Sequence, residues 1–352
     1  MTAKERVLCT LNGKEPDRVP IFDFLNSRPL FKEVLGRAVE TRTSEDIIEC
    51  SAKIGYDLAV VPLGLKKGFN RQGARYEDEW GTVYEKRDVN WPADAPVDFS
   101  IKTREDLKNF QWPDPEDESR LDGIKTAVSL GKEKDIFVIG SIRGPFSSTW
   151  LVTGFSEMML NLHDNPDFVE EVMKGCTRYY TRGAVKMIDA GVDAILFTDD
   201  YGSSQATFIS PPLFRERVLP HITRMVERIS ARKVPVIMHS DGHVAPFLED
   251  LVETGISGYH PLERSAGMVL EKVKRDFGKA LTLVGNVNNK TTLVSGSTED
   301  VVEEVKECIR LAAPGGGYIL ASDHSLHGDI PNENIFALYE AGRKYGEYPI
   351  SL

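Results

Sequence analysis

Cysteine is scarce in this chain. Its 352 residues include four, Cys9, Cys50, Cys176 and Cys308, far apart and in no CxxC or CxxH pair, which argues against a disulfide framework or an all-cysteine zinc site. Positive charge is short as well: 43 Lys and Arg against 54 Asp and Glu leave a net charge of −11. No Lys/Arg-rich run offsets it, so neither nucleic acid nor an anionic membrane is expected as the main partner. No stretch approaches roughly 18 consecutive apolar residues, so no membrane-spanning helix is expected. The N-terminus is charged within its first six residues and lacks a long apolar run, so it does not read as a signal peptide. Internal repeats and low-complexity tracts are absent. What remains, 41% hydrophobic and 28% charged residues, is the composition of a globular chain able to bury a large core. A soluble, cytoplasmic protein is expected.

Short, β-branched apolar runs recur at residues 19–24, 58–62, 136–140, 194–198, 234–239, 256–260, 281–285 and 317–321. Each is continuously apolar rather than alternating, as strands buried on both faces are. Stretches with apolar residues at three- and four-residue spacing lie between most of them, clearest at 166–190, 211–232, 244–254 and 298–313. The last opens with Ser297 as a helix cap and is followed by Gly315-Gly-Gly317. Eight strands alternating with helices predict an α/β chain folded as a (β/α)8 TIM barrel with an N-terminal helical lead, one domain over 1–352. The alternative is a doubly wound open sheet, but Phe22-Asp-Phe-Leu-Asn26 is not the Gly-rich turn that usually follows its first strand. Residues 64–135 are too long for one loop after the second strand and contain a strand–Gly–strand pattern at 75–87, a β-hairpin. Trp91-Pro, Ala95-Pro and Trp112-Pro-Asp-Pro115 then mark irregular chain. Such an insertion would cover the catalytic mouth of a barrel; plain surface decoration is the alternative.

In a barrel the C-terminal strand ends converge on one face. Here they carry Asp23 and Asn26, Arg143, Asp199, Asp200 and Tyr201, His239 and Asp241, His260 and Glu263, Asn286 and Asn288, and Asp323 and His324, with Asp57 at the second strand's start. A ring of carboxylates, imidazoles and amides points to an active site. Within it, His239-Ser-Asp241 can aim two side chains at one point, and His324 can complete a three-ligand metal site with one open position, as a catalytic zinc needs. The alternative is a His–Asp hydrogen bond that anchors a loop. Of the adjacent pair Asp199 and Asp200, one is expected to face the mouth and the other to cap a loop or helix. Asp323 is expected to orient His324, and Trp150 and Tyr201 to line an apolar pocket.

The chain also resembles a known family. Lys4-Glu-Arg-Val-Leu-Cys-Thr-Leu-Asn-Gly-Lys-Glu-Pro-Asp-Arg-Val-Pro20, Gly55-Tyr-Asp-Leu-Ala-Val-Val-Pro62, Gly144-Pro-Phe, His239-Ser-Asp-Gly-His243, Val284-Gly-Asn-Val287 and Pro314-Gly-Gly-Gly-Tyr-Ile-Leu-Ala-Ser-Asp-His324 are similar to the uroporphyrinogen decarboxylase superfamily, which includes cobalamin-dependent methyltransferases. The resemblance implies a (β/α)8 barrel. It matches Asp57 to the decarboxylase aspartate that faces the pyrrole N–H groups, and His324 to a late histidine. It also exposes departures. The arginine-rich carboxylate clamp of the decarboxylases is replaced by Phe22-Asp-Phe-Leu-Asn-Ser-Arg-Pro29, Trp150 stands where the family has tyrosine, and Asp199 where it has serine. A many-carboxylate tetrapyrrole would meet a more acidic mouth with fewer cations.

The methyltransferase branch is the closer resemblance. Its zinc set is H-x-C with a later cysteine; His239, Asp241 and His324 occupy those places without thiolates, an oxygen and nitrogen set that makes a bound metal a stronger Lewis acid. The resemblance thus implies transfer of a methyl group from a small, methoxylated or similar donor to the cobalt of a corrinoid carried by a separate protein. Asp57, Asp199, Tyr201 and His324 would act at the donor, and Asn26, Arg143, Trp150, His260, Glu263 and Asn286 would line its pocket. A lyase on a tetrapyrrole or a smaller carboxylated substrate, and a non-catalytic ligand- or partner-binding barrel, are the alternatives.

Overall fold

The computed structural model describes residues 1–65, 74–86 and 94–352. The described residues form ten strands: β1 Leu58–Pro62, β2 Arg75–Glu77, β3 Val83–Glu85, β4 Ala95–Asp98, β5 Phe137–Arg143, β6 Ala194–Thr198, β7 Val236–His239, β8 Gly258–His260, β9 Thr282–Val287 and β10 Tyr318–Ser322. Seven of them form one curled sheet in the order β1-β5-β6-β7-β8-β9-β10. Every pairing in it is parallel. These are the apolar runs of the sequence from 58–62 onward. Helices such as Pro166–Asp189, Leu219–Ser230 and Thr298–Ala312 fall between them and cover the outer face.

The expected first strand, 19–24, is not a regular strand. It makes one isolated parallel bridge, Ile21 with Leu320. The N–H of Phe22 donates to the Leu320 carbonyl (3.0 Å), that of Leu320 to the Pro20 carbonyl (2.9 Å), and that of Asp57 to the Ile21 carbonyl (3.0 Å). The segment therefore bridges β10 and β1, the two edges of the sheet. Two features break its ladder: Pro20 has no N–H to give, and the Ile21 N–H goes to the Asp57 carboxylate (2.8 Å) instead of a neighbouring carbonyl.

Two apolar layers follow from strand alternation. One set of side chains, including Phe22, Leu58, Val60, Phe137, Ile139, Leu196, Ile237, Val284 and Ile319, fills the interior of the curl. The other faces the helices. The leading helix Ala3–Leu11, started by a Thr2–Glu5 capping box, adds Val7, Leu8 and Leu11 to the interior set and so plugs its N-terminal end.

The hairpin is present as the antiparallel pair β2–β3, turning at Gly81 (φ 72°). A third strand, β4, pairs with β3 where Ala95-Pro reads as irregular chain. Trp91-Pro lies outside the described residues. Residues Asp78, Trp80, Thr82 and Tyr84 of the hairpin pack beside Arg143 at the C-terminal end of β5, so the insertion sits at the mouth side of the sheet. Among the described residues no helix is long and apolar enough to cross a membrane.

Candidate functional site

Strand alternation decides what reaches the mouth. Phe137 and Ile139 of β5, Ala194 and Leu196 of β6, and Ile237 of β7 face the interior. Continuing by twos puts Arg143, Thr198 and His239 on that side. The register makes them one row, with Arg143 beside Thr198, Thr198 beside His239, and His239 beside His260.

The two histidines of this row are bonded to each other, Nδ1 to Nδ1 at 2.7 Å, with rings stacked at 4.9 Å. Phe24 from the bridging segment packs edge-on against both, at 5.4 and 5.1 Å. This arrangement turns the His239 Nε2 outward, 3.5 Å from Asp241 Oδ2 and 3.9 Å from Asp200 Oδ1. The Nε2 of His324 approaches the same Asp241 oxygen at 3.2 Å. Asp241 returns toward His239 because the loop after β7 turns at Gly242 (φ 82°), where a Cβ would collide with the Gly202 carbonyl. The Gly242 N–H is held by Glu263 Oε2 (2.9 Å), and the Asp241 N–H donates to Asp200 Oδ1 (3.2 Å).

The electrostatics follow from this packing. Burial favours a neutral His239, but the facing carboxylates of Asp241 and Asp200 outweigh it and raise its pKa. His324 is raised in the same way, mainly by Asp241 against its own burial. Burial, reinforced by the charge of His239, drives His260 far down. Asp241 is pulled well below the usual carboxylate range, its burial overcome by His239 and His324. Desolvation and the negative charge of Asp241 push Asp200 up.

These residues suit a metal ion. Asp200, His239 and Asp241 each offer one ligand atom, all within 4.8 Å of one another. Ligands about 2.1 Å from a tetrahedral zinc lie about 3.4 Å apart, close to the 3.5 and 3.9 Å spacings at His239. Asp241 Oδ1 is buried without a hydrogen-bond partner among the described residues, an unmet acceptor. His324 stands beside this set through its contact with Asp241.

The remaining expected site residues lie elsewhere or are committed to the framework. Asp199 is fully buried and caps the helix Pro145–Thr153, accepting the N–H groups of Phe146 (3.1 Å) and Ser147 (2.5 Å) and the hydroxyl of Tyr201 (2.5 Å). Tyr201 itself is packed among Phe146, Phe214 and Phe247. Asp57, expected at the donor, is at the opposite end of β1, where Arg6 (2.8 Å) and Arg18 (2.6 Å) hold it. Asn286 is buried and donates to the carbonyls of Leu262 and Met268. Glu263 holds Gly242, Ser265 and Lys290. Asn26 is bonded to Arg42, and Trp150 lies edge-on to Phe155. Asp323, expected to orient His324, instead accepts the N–H groups of Asn289 (2.8 Å) and Arg264 (3.2 Å). Of the expected residues, His239, Asp241, His324 and His260 converge, and Arg143 shares their row. Asp200 joins the cluster although the reading above chose Asp199. Counting by twos from Ala194 through Leu196 and Thr198 lands on Asp200, so the signal was in the strand itself.

The sequence pattern described as uroporphyrinogen decarboxylase (URO-D) matches residues 88–345. A protein named methylcobamide:CoM methyltransferase MtaA from Methanosarcina barkeri is 24% identical over 353 residues, 98% of each chain. A protein named uroporphyrinogen decarboxylase from Alkalilimnicola ehrlichii is 25% identical over 263 residues, 71% of this chain and 69% of that one. The solved structure of a methyltransferase from Methanosarcina mazei superposes with a TM-score of 0.77 at 21% identity, over 98% of this chain and 99% of that one. That likeness shows a TIM-barrel-like fold.

Proposed function

This chain belongs to the uroporphyrinogen decarboxylase (URO-D) family, and within it we propose a methyltransferase that moves a methyl group from a small, methoxylated or similar donor to the cobalt of a corrinoid on a separate protein. The observation that carries this reading is the cluster of Asp200, His239, Asp241 and His324 at the strand ends, built without a thiolate. Three of the four cysteines are buried elsewhere, and Cys9 lies on the leading helix at the other end. Relatives named as methylcobamide:CoM methyltransferases align along nearly all of both chains, which supports the reading.

Zinc is the metal these donors suit, and when bound it would supply Lewis acidity to the atom that the methyl group leaves. Asp200, His239 and Asp241 would hold it. His260 fixes the His239 ring through the 2.7 Å Nδ1 contact and so keeps Nε2 turned to the site. His324, whose pKa is raised by the facing Asp241 carboxylate, is placed to give a proton to the departing oxygen. The row of strand ends positions the donor, and in-line positioning of donor and acceptor supplies much of the rate. The segment 19–24 serves as the eighth stave of the barrel and brings Phe24 to both histidines.

Tetrapyrrole decarboxylation is the rival that kinship brings. The mouth row offers Arg143 as its cation and sets Asp200 and Asp241 nearby, a poor cradle for a many-carboxylate substrate. Elemental analysis should find about one zinc per chain. Mixing the protein with a reduced corrinoid protein and methoxylated donors should convert the visible spectrum to that of methylated cobalt. His239→Ala should lose zinc and methyl transfer together while its circular dichroism stays unchanged. Efficient conversion of uroporphyrinogen, or full methyl transfer by His239→Ala, would overturn the reading.

A further inference from the structure

A ligand imidazole needs more than the right direction. To bind a metal, His239 must present a lone pair at Nε2, and a neutral imidazole has one lone pair and one N–H. Its proton must then sit on Nδ1. The atom bonded to that nitrogen is His260 Nδ1, 2.7 Å away, so one proton lies between the two rings and only one of them can supply it. Were His260 the donor, a neutral His239 would carry its proton on Nε2, on the side of Asp241, and would have no lone pair for a metal.

The surroundings of His260 leave the other arrangement open. β7 and β8 pair in register at His239 and His260, and the Ser240 N–H donates to the His260 carbonyl (3.0 Å). The ring stands edge-to-face with Phe22 (5.9 Å) and Phe24 (5.1 Å), and the residue is 0% exposed. Solvent therefore does not compete for its Nδ1. The second nitrogen, His260 Nε2, is buried with no hydrogen-bond partner among the described residues. No carboxylate or carbonyl among them fixes the state of that nitrogen, so His239 alone selects the tautomer of His260.

We propose that His260 is a positioning residue of the metal centre: its Nδ1 accepts the Nδ1–H of His239 and so locks His239 in the tautomer whose Nε2 lone pair faces Asp200 and Asp241. His260 then carries its own proton on Nε2. Being fully buried, it acts through His239 rather than on the methyl donor. Metal-bound histidines commonly donate their other N–H to a carboxylate, a backbone carbonyl or water; here an uncharged ring takes that place. This role rests on the metal reading of the cluster and not on which molecule gives the methyl group.

Two substitutions of similar size isolate the acceptor. His260→Asn puts an oxygen one bond beyond Cγ, where the histidine Nδ1 stands, and His260→Leu puts a methyl group there. Chelator competition on the full chain should find zinc bound about 10- to 100-fold more weakly by His260→Leu and within about threefold of wild type by His260→Asn. The wild-type chain gives a second answer without any substitution. With its histidines labelled with nitrogen-15 and zinc loaded, His239 should be protonated on Nδ1 and metal-bound through Nε2. The histidine signals that vanish in His260→Asn should belong to a neutral ring protonated on Nε2. Equal weakening in the two variants, wild-type affinity in His260→Leu, or a His260 ring protonated on Nδ1 overturns the proposal, as does a wild-type chain that binds no zinc. Zinc affinities in the expected order without methyl transfer from any donor would sink the methyl-transfer reading and leave the lock standing. Methyl transfer by a chain whose three forms hold zinc equally would do the reverse.

Discussion

Asp199 and Asp200 share a chemistry and a peptide bond, yet they face opposite layers. Asp199 points into the helix layer and closes the N-terminus of Pro145–Thr153; Asp200 points into the mouth and meets His239. Their variants should therefore separate. Asp200→Asn should weaken zinc at least about tenfold, read by competition with a chelator, and barely move the urea midpoint. Asp199→Ala should cost about 1–3 kcal/mol in urea unfolding, because buried N–H groups lose their acceptor, and should keep its zinc. A second buried acid predicts a pH effect. Asp23 accepts the Ser322 N–H (2.9 Å) and hydroxyl (2.8 Å), yet burial still raises its pKa to about 7. The folded chain thus binds this proton more tightly than the unfolded one. Asp23 contributes stability below about pH 4 and loses it as pH rises toward 7, by up to roughly 1.4 kcal/mol per pH unit. Asp23→Asn removes the titration, so wild type should lose stability relative to the variant between pH 4 and 7. A constant difference across that range would contradict the assignment.

At the scale of elements, one carboxylate joins three pieces of chain. Asp57, just before β1, receives Arg6 from the leading helix, and Arg18 and the Ile21 N–H from the bridging segment. Arg6 in turn holds Asp17 (2.6 Å), so Asp17 and Arg18 of the Pro-Asp-Arg-Val-Pro motif are both spent on this joint. Removing one partner of a buried ion pair leaves the other charged and unpaired. Asp57→Ala should therefore cost about 3–5 kcal/mol in urea unfolding. The joint lies at the far end of β1 from the cluster, so the folded variant should retain zinc and methyl transfer. Loss of methyl transfer with stability intact would put Asp57 back at the substrate.

In the whole molecule, stability and chemistry occupy different ends of the same strands. The interior of the curl is packed from Val7 of the leading helix up through Ile237 and Val284, and the cluster begins one step beyond, at His239. The cluster is held by protein bonds, His239 to His260 and Asp241 N–H to Asp200. A metal there would add only its binding linkage to a framework already formed. Stripping zinc with dipicolinate should abolish methyl transfer, leave the circular dichroism spectrum intact, and lower the melting midpoint by only a few degrees. Unfolding on chelation would mean that the metal is structural.

The sequence by itself determined the seven strands of the main sheet within a few residues and the helices between them, because an apolar run buried on both faces and a helical spacing are local patterns. It also determined that His239 and Asp241 share a side of the chain, for spacing by two is a local property. Only the tertiary structure decided what depends on residues distant in the chain. Ile21 leaves its ladder for a carboxylate 36 residues away. Asp57 is neutralised by arginines 51 and 39 residues away. His239 finds His260 across the rung between β7 and β8. Trp80 meets Arg143 because an insertion folds back over a strand end. A carboxylate, imidazole or guanidinium has the same intrinsic chemistry wherever it stands in the chain. Packing alone chooses the charge or donor that faces it, and that choice separates a framework joint from a reactive site.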